Sequence, residues 1–179
     1  NGGLGEERGF IPEHGDNAPC YVKYISDWDV WKFDYGDQTR NFMVGFGAHD
    51  VSPQSKRWLA LDRDVLACEN LMREGYFMTQ FRDNWAREYM PLGFDTIFEG
   101  HHCFAVNLGH CNSEYFKSLP EGMYDILMPF VFDGTLYTVS LYSKVVDVSE
   151  IAKKYGGGGH KGASGFQCKQ LPFSKMGES

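Results

Sequence analysis

The residues whose types and spacing could do chemistry lie at positions 156–165. Six of these ten are glycines, and His160 and Lys161 lie among them. Ordering a glycine costs about 0.5 to 1 kcal/mol more than ordering an alanine, so a run this dense needs an offsetting interaction. Bare backbone lets N–H groups approach an anion, and each charge-assisted hydrogen bond contributes about 1.5 to 3 kcal/mol. The pattern predicts a phosphate-binding loop that comprises Gly156, Gly157, Gly158, Gly159, His160, Lys161 and Ser164.

Other interpretations of this segment are weaker. A tight helix-to-strand connection needs positive backbone angles, but one or two glycines satisfy it. Gly157, Gly159 and Gly162 match the spacing of a dinucleotide-binding fingerprint, yet they follow a predicted helix where that fingerprint requires a strand. Lys161 is followed by Gly162 and not by Ser or Thr, so the segment is not a P-loop.

Charge is distributed unevenly along the chain. The net charge is -7, which argues against a protein that coats nucleic acid through a general basic surface. Residues 152–170 nevertheless contain four lysines and no acid. A small anionic ligand could be held there, although the lysines alone favour a solvated lysine face. The lysines are Lys153, Lys154, Lys161 and Lys169.

Two further groups contain residues that could act in acid–base catalysis or bind a metal ion. Four carboxylates could pair for acid–base work, but they are equally a solvated acidic turn: Asp27, Asp29, Asp34 and Asp37. Five residues are of the types that bind zinc: His101, His102, Cys103, His110 and Cys111. Neighbouring residues of a strand point to opposite faces and no Cys-x-x-Cys pair is present, so histidines of a hairpin are favoured over zinc.

Periodicity predicts the elements that position these residues. In residues 54–90 apolar residues recur every three or four positions, which predicts a long helix that is kinked or split near Gly75. The aromatic residues of this helix are expected to face a core. After Gly93 the period changes to two. Two hairpins are predicted, 94–98 with 102–108 and 126–132 with 136–142, together with a short helix at 113–119.

A second helix is predicted to lead into the glycine segment. Asp147 is its N-cap, Glu150 completes a capping box, and Val146 can pack on Ile151. The helix ends at Gly156, and a last strand follows at 165–169. The predicted class is α+β: a helical linker followed by a mixed β-sheet of about five strands with flanking helices.

Composition bounds the remaining possibilities. The 179 residues are 42% hydrophobic, enough for one main domain, and no apolar run approaches the roughly 20 residues of a membrane-spanning helix. The five cysteines lack the spacing of a disulfide framework, which favours a reducing compartment, and we expect a soluble, cytoplasmic protein. Residues 1–18 are expected to be a flexible lead-in.

A family resemblance begins at Asp147. The sequence DVSEIAKKY at 147–155, followed by GGGGHKGASGF, resembles the DHHA1 domain of DHH-family phosphoesterases. That family includes RecJ-like exonucleases, nano-RNases acting on short oligonucleotides, cyclic-dinucleotide phosphodiesterases and exopolyphosphatase-like relatives. The resemblance implies a two-domain hydrolase in which an N-terminal DHH domain binds Mn²⁺ (or Mg²⁺) and the DHHA1 domain grips substrate phosphates. It also allows a homodimer.

The resemblance extends towards the N-terminus. Residues 19–31 look like the end of a DHH domain, and Asp27 maps to the last metal-binding motif, with Asp29 as second choice. The implied organisation is a lead-in at 1–18, a DHH remnant at 19–53, an interdomain helix at 54–91 and a DHHA1-like domain at 92–179.

Two departures from the family pattern matter. The Asp-His-His motif and the earlier aspartate motifs are absent, so the chain resembles a C-terminal segment of a longer phosphoesterase and should be inactive alone. Many members carry Ser-Leu-Arg-Ser where this chain has Ser140, Leu141, Tyr142 and Ser143. Tyr142 can donate one hydrogen bond or stack on a base, but it cannot form the bidentate charged pair.

The sequence therefore predicts the substrate-binding portion of a metal-dependent phosphoesterase, with Tyr142 beside the glycine loop. Short oligoribonucleotides, single-stranded DNA, cyclic dinucleotides and polyphosphate all remain open as substrates. One alternative is a stand-alone nucleic-acid-binding module, and another is a structural fragment with a vestigial loop.

Overall fold

The computed structural model of the chain describes residues 18–177. Within them the chain forms helices followed by a mixed six-stranded sheet, so the predicted α+β class is confirmed. The described residues divide into two compact units, one that ends at Thr79 and one that begins at Gln80. The domain limits predicted above stay predictions.

The N-terminal unit is helical. Its core contains Phe42, Phe46, Leu61, Cys68 and Leu71. Its helices are α1 (Cys20–Asp29), α2 (Asp37–Gly47), α3 (Arg57–Arg63) and the first part of α4 (Val65–Tyr89).

Helix α4 is continuous through Gly75, so the predicted kink there is wrong. The break lies at Asp64, which has an extended backbone between α3 and α4. Gly75 instead allows two helices to approach, because a Cβ atom at Gly75 would lie 1.7 Å from the carbonyl oxygen of Asn41 on α2. A Cβ atom at Gly45 of α2 would likewise lie 2.0 Å from the carbonyl oxygen of Leu71.

The aromatic residues of α4 were expected in a core, and four of them are exposed, including Phe77 at 65%. Tyr76, Phe81 and Trp85 expose 48%, 74% and 40% of their surface. Smaller residues such as Gly75 and Ala86 are buried instead. Because small residues add little to a hydrophobic pattern, periodicity assigned the wrong face.

Cys20 and Cys68 form a disulfide that joins α1 to α4. The sequence separation of 48 residues gave no spacing signal, and helix packing alone brings the two sulfurs together. The pairing corrects the expectation of cysteines without a disulfide, which was the premise for a reducing compartment.

The C-terminal unit is built on the sheet. Only β2 and β3 are parallel, and the other neighbours are antiparallel, in the order β1-β2-β3-β4-β6-β5. Both predicted hairpins are confirmed, as β1–β2 and β3–β4. The strands are β1 (Phe94–Phe98), β2 (His101–Asn107), β3 (Ile126–Phe132), β4 (Tyr137–Tyr142), β5 (Gly158–His160) and β6 (Ala163–Cys168).

The two faces of the sheet have different cover. Helix α5 (Val148–Lys154) packs on one face over Val139, Leu141 and Phe166. On the other face, Phe104 clusters with residues of two 3₁₀ helices, Met90–Leu92 and Ser113–Phe116. The second of these is the short helix predicted at 113–119.

The cap of α5 is partly as predicted. The Asp147 carboxylate accepts a hydrogen bond from the Ser149 backbone N–H at 3.1 Å. The Glu150 carboxylate accepts from the Lys153 ammonium at 2.6 Å.

Within residues 18–177, no helix has the length and apolar character needed to cross a membrane.

Candidate functional site

The glycine segment begins as the C-terminal cap of α5. Gly156 has φ +76°, and its N–H donates to the Lys153 carbonyl at 3.0 Å. The Gly157 N–H donates to the Ala152 carbonyl at 2.9 Å. This pair of bonds is the Schellman arrangement that ends many helices. The two amides are therefore already bonded, and they are not free to hold an anion as the sequence predicted.

Packing accounts for three of the glycines, Gly157 among them. A Cβ atom at Gly157 would lie 2.1 Å from the Gly165 carbonyl oxygen, and one at Gly165 would lie 2.7 Å from the Val139 carbonyl oxygen. Gly159 has φ +142° and contacts Ser164 closely. With the positive φ of Gly156, packing or backbone conformation accounts for four of the six glycines. The glycine count alone is therefore a weaker sign of an anion than the sequence suggested.

The remaining part of the segment is open. Residues 158–160 form β5, a strand that the sequence did not predict because glycines give no hydrophobic alternation. It lies at the edge of the sheet, so its backbone groups facing away from β6 have no strand partner in the described residues. Nothing lies within 4 Å of the Cβ position of Gly158, and His160 and Lys161 are exposed. Bare backbone and two side-chain donors therefore lie together at this edge.

Ion pairs reduce the local excess of lysines. The Lys153 ammonium lies 2.6 Å from Glu150, and the Lys154 ammonium lies 2.6 Å from Glu99. Both acids lie outside residues 152–170, so the charge counted over those residues alone exceeds the positive charge that the folded chain has there. Lys161 forms no ion pair with a described residue. The pKa of Asp147 is lowered mainly by the hydrogen bond from Ser149, and the charge of Lys161 also contributes to lowering it. Lys161 is the cation left at the edge strand.

The strand register separates residues that the sequence grouped. Tyr142 is opposite Ala163, and Ala163 is opposite His160, so these three side chains share one face of the sheet. Ser164 lies on the other face, where its hydroxyl donates to the Val148 carbonyl of α5 at 2.6 Å. His160 and Tyr142 are thus brought to one face, and Ser164 is turned away from them.

The hydroxyl group of Tyr142 forms a hydrogen bond within the protein. Its hydroxyl donates to the Cys111 carbonyl at 2.8 Å, and burial raises the pKa of Tyr142. A phenol that already donates its one proton cannot also donate it to a phosphate. Tyr142 therefore anchors the loop that contains Cys111 to β4.

Asp27 is a buried carboxylate with only 5% exposure. Its Oδ1 accepts from the Asp34 N–H at 2.8 Å, and its Oδ2 accepts from the Tyr35 N–H and the Thr39 hydroxyl. Burial alone would raise the pKa of Asp27, but the hydrogen bonds from Thr39 and from the backbone more than offset it and lower the pKa. The carboxylate thus stabilises the connection between α1 and α2 through these hydrogen bonds.

The described residues do not assemble a metal centre around Asp27. Both of its oxygens are engaged, and Asp29 is an exposed residue at the end of α1. Across residues 18–177, no three His, Cys, Asp or Glu side chains are grouped so that they could hold a metal ion. These residues therefore do not fit Mn²⁺ or Mg²⁺ by themselves.

The histidines and cysteines of β2 and the following loop form structural contacts. Burial raises the pKa of Cys103 to about 11, and its thiol donates to the His101 carbonyl. His102 lies 3.5 Å from Asp95 and against the Tyr124 ring. His101, His102 and Cys103 lie on β2 of the first hairpin, as the hairpin interpretation expected, whereas His110 and Cys111 lie in the loop after β2.

Sequence reasoning missed Ser143, which lies between β4 and α5. Its N–H donates to the Gly162 carbonyl at 3.1 Å, so it contacts the turn between β5 and β6. A serine in a short connection commonly bonds nearby backbone, which was the signal available in the sequence.

The fold is similar to that of known proteins, whereas the sequence is not. No protein-family model matches the chain, and no curated protein does. PggH, a pGpG-specific phosphodiesterase from Vibrio cholerae, superposes with a TM-score of 0.53 at 12% identity, over 83% of this chain and 60% of PggH. An uncharacterized protein from Helicobacter pylori G27 gives a TM-score of 0.39 at 15% identity, over 88% and 58% of the two chains.

The likeness to PggH defines a class of fold. This chain shares the fold of the part of PggH that it matches, and it spans about 60% of the PggH chain.

Proposed function

We propose that this chain is the substrate-binding portion of a phosphoesterase that hydrolyses phosphodiester bonds of short oligonucleotides or related phosphate esters. The observation that carries the proposal is the open edge strand β5, which ends at the exposed His160 and is followed by the exposed Lys161. The fold shared with PggH, which acts on the dinucleotide pGpG, supports it.

The edge strand offers what a phosphate needs. Lys161 supplies a compact positive charge, and the His160 ring supplies a further donor. The absence of a side chain at Gly158 lets a phosphate oxygen approach the backbone N–H groups of the sheet edge. These groups bind and orient the phosphate, while the rest of the chain, whose net charge is negative, disfavours long polyanions.

The proposed enzyme is metal-dependent, with Mn²⁺ or Mg²⁺ bound by a DHH domain N-terminal to this chain. Bound metal ions would supply an activated water and stabilise charge on the phosphate. Asp27 is not suited to that task, because its oxygens already accept protein hydrogen bonds. The chain by itself is expected to bind substrate without hydrolysing it.

Isothermal titration of the chain with pGpG tests binding. We expect micromolar to millimolar affinity, a loss of about tenfold in Lys161→Ala and in His160→Ala, and no change in Lys169→Ala, which removes an exposed lysine just after β6. Absence of binding by the unmodified chain, or equal binding by Lys161→Ala, would overturn the proposal.

Hydrolysis is tested separately on the full-length gene product. With Mn²⁺ we expect cleavage of pGpG that is weakened in the His160→Ala variant. Binding without cleavage by the full-length product would favour a stand-alone nucleic-acid-binding module over the enzyme.

A further inference from the structure

The turn between β5 and β6 is held from outside the hairpin. It consists of residues 161–162, and the carbonyl groups of both accept hydrogen bonds, one from Ser143 in the connection between β4 and α5 and one from Val148, the first residue of α5. The Ser143 N–H donates to the Gly162 carbonyl at 3.1 Å, and the Val148 N–H donates to the Lys161 carbonyl at 3.0 Å. The position of Lys161 therefore depends on the shape of residues 143–148.

The Ser143 hydroxyl fixes that shape. It donates to the Asp125 carbonyl at 2.7 Å, and it accepts from the backbone N–H groups of Val145 at 3.1 Å and Val146 at 2.8 Å. A hydroxyl has one donor and two acceptor positions, so all of them are used. This side chain ties the start of the connection both to Asp125, the residue before β3, and to the residues that lead into α5.

The side chains of Val145 and Lys144 do little to hold the connection, whereas Val146 packs against the core beneath α5. The Val145 side chain is 76% exposed. Lys144 pairs with Glu121 at 3.0 Å, but both side chains are almost fully exposed, and such surface pairs contribute little. A Cβ atom at Gly162 would lie 3.2 Å from the Ser143 carbonyl oxygen, so the two backbones also approach closely at this serine.

We propose that Ser143 is the positioning residue of the phosphate-binding edge: its hydroxyl holds the connection between β4 and α5, which in turn holds the turn that presents Lys161 and His160. This role rests on the proposed function of the same edge. Ser143 acts through the backbone of the turn and does not itself contact the phosphate.

The test compares Ser143→Ala, Ser143→Thr and Ser118→Ala in the full chain. Inorganic phosphate and pGpG are the two probes, titrated by calorimetry and by amide NMR of residues 158–163. We expect Ser143→Ala to bind both probes about five- to tenfold more weakly, as expected for displaced donors, with Ser143→Thr within about twofold of the unmodified chain. Ser118→Ala, an exposed serine in the same unit, should bind normally.

Hydrogen exchange gives a second measurement that needs no ligand. The Ser143 amide should be protected in the unmodified chain and in Ser143→Thr, and it should exchange faster in Ser143→Ala while the β4 amides stay protected.

The failures can be told apart. If the unmodified chain binds neither probe, the proposed function fails and Ser143 has nothing to position. If the unmodified chain binds and Ser143→Ala binds equally well, the proposed function stands and the role of Ser143 is overturned. A Ser143→Thr variant as weak as Ser143→Ala would also overturn it, because the hydroxyl would then not be the active group.

Discussion

Two regions of the molecule differ in where their polar groups point: the connection between α1 and α2, which contains Asp27, and the edge strand β5. The Asp27 carboxylate is buried, and all its hydrogen bonds come from the protein itself. His160 and Lys161 are exposed, and β5 has one backbone edge without a strand partner in the described residues. A polar group that is satisfied internally stabilises the fold, whereas an exposed group with spare donors can bind a ligand. The first region is thus structural, and the second is the candidate site.

The largest expected effect comes from removing the buried carboxylate. Asp27→Ala leaves the Asp34 and Tyr35 amides and the Thr39 hydroxyl without their acceptor, and we expect a loss of about 3 kcal/mol in the free energy of unfolding. Urea unfolding followed by tryptophan fluorescence measures it, since three of the four tryptophans lie in the N-terminal unit. Binding of pGpG under native conditions should not change. A stable variant that binds less pGpG would reverse the contrast between the two regions.

The next effect separates two neighbouring glycines. Gly157→Ala would place a Cβ atom 2.1 Å from a carbonyl oxygen, and we expect it to destabilise the C-terminal unit by about 2 kcal/mol. Gly158→Ala meets nothing within 4 Å, so its stability should change by less than about 0.5 kcal/mol, while pGpG affinity falls because the methyl group crowds the edge. Thermal unfolding by circular dichroism and calorimetry measure the two quantities. Equal stability of the two variants would contradict the packing explanation.

Acid should weaken the Asp27 connection. Because the folded-state pKa of Asp27 is lowered, its contribution is complete above the ordinary aspartate pKa of about 3.9 and is lost as the pH falls through the folded-state value. The loss should be smaller than in Asp27→Ala, since a protonated carboxyl still accepts hydrogen bonds. Urea unfolding between pH 6 and pH 2 checks this, with Asp27→Asn as the control that lacks the Asp27 titration. Identical pH profiles for the two proteins would exclude the carboxylate as the cause.

The smallest effect concerns Tyr142. Tyr142→Phe removes the hydrogen bond to the Cys111 carbonyl, and we expect a loss of about 1 kcal/mol in stability with no change in pGpG affinity. Urea unfolding and calorimetry again provide the measurements. Weaker binding with unchanged stability would instead show that the phenol contacts the ligand.

Much of the fold was predictable because its signals are local. The two hairpins alternate hydrophobic residues around a turn, and Asp147 precedes an amphipathic helix, so strands β1 to β4 and α5 were predicted from nearest neighbours along the chain. Strand β5 was not predicted, since glycines carry no periodic signal. The buried face of α4 was misassigned for a related reason, because Gly75 packs by being small.

For the candidate site, the sequence by itself determined which segment to examine. The density of glycines around His160 and Lys161 marked residues 156–165, and the resemblance to a DHHA1 domain gave that segment a proposed ligand.

Only the tertiary structure decided which of those residues are free. Gly156 and Gly157 end a helix, Ser164 and Tyr142 donate their hydroxyl protons to carbonyl groups, and Asp27 closes a loop. Hydrogen-bond satisfaction depends on groups distant in sequence, such as Val148 for Ser164 and Cys111 for Tyr142, so no local pattern could reveal it.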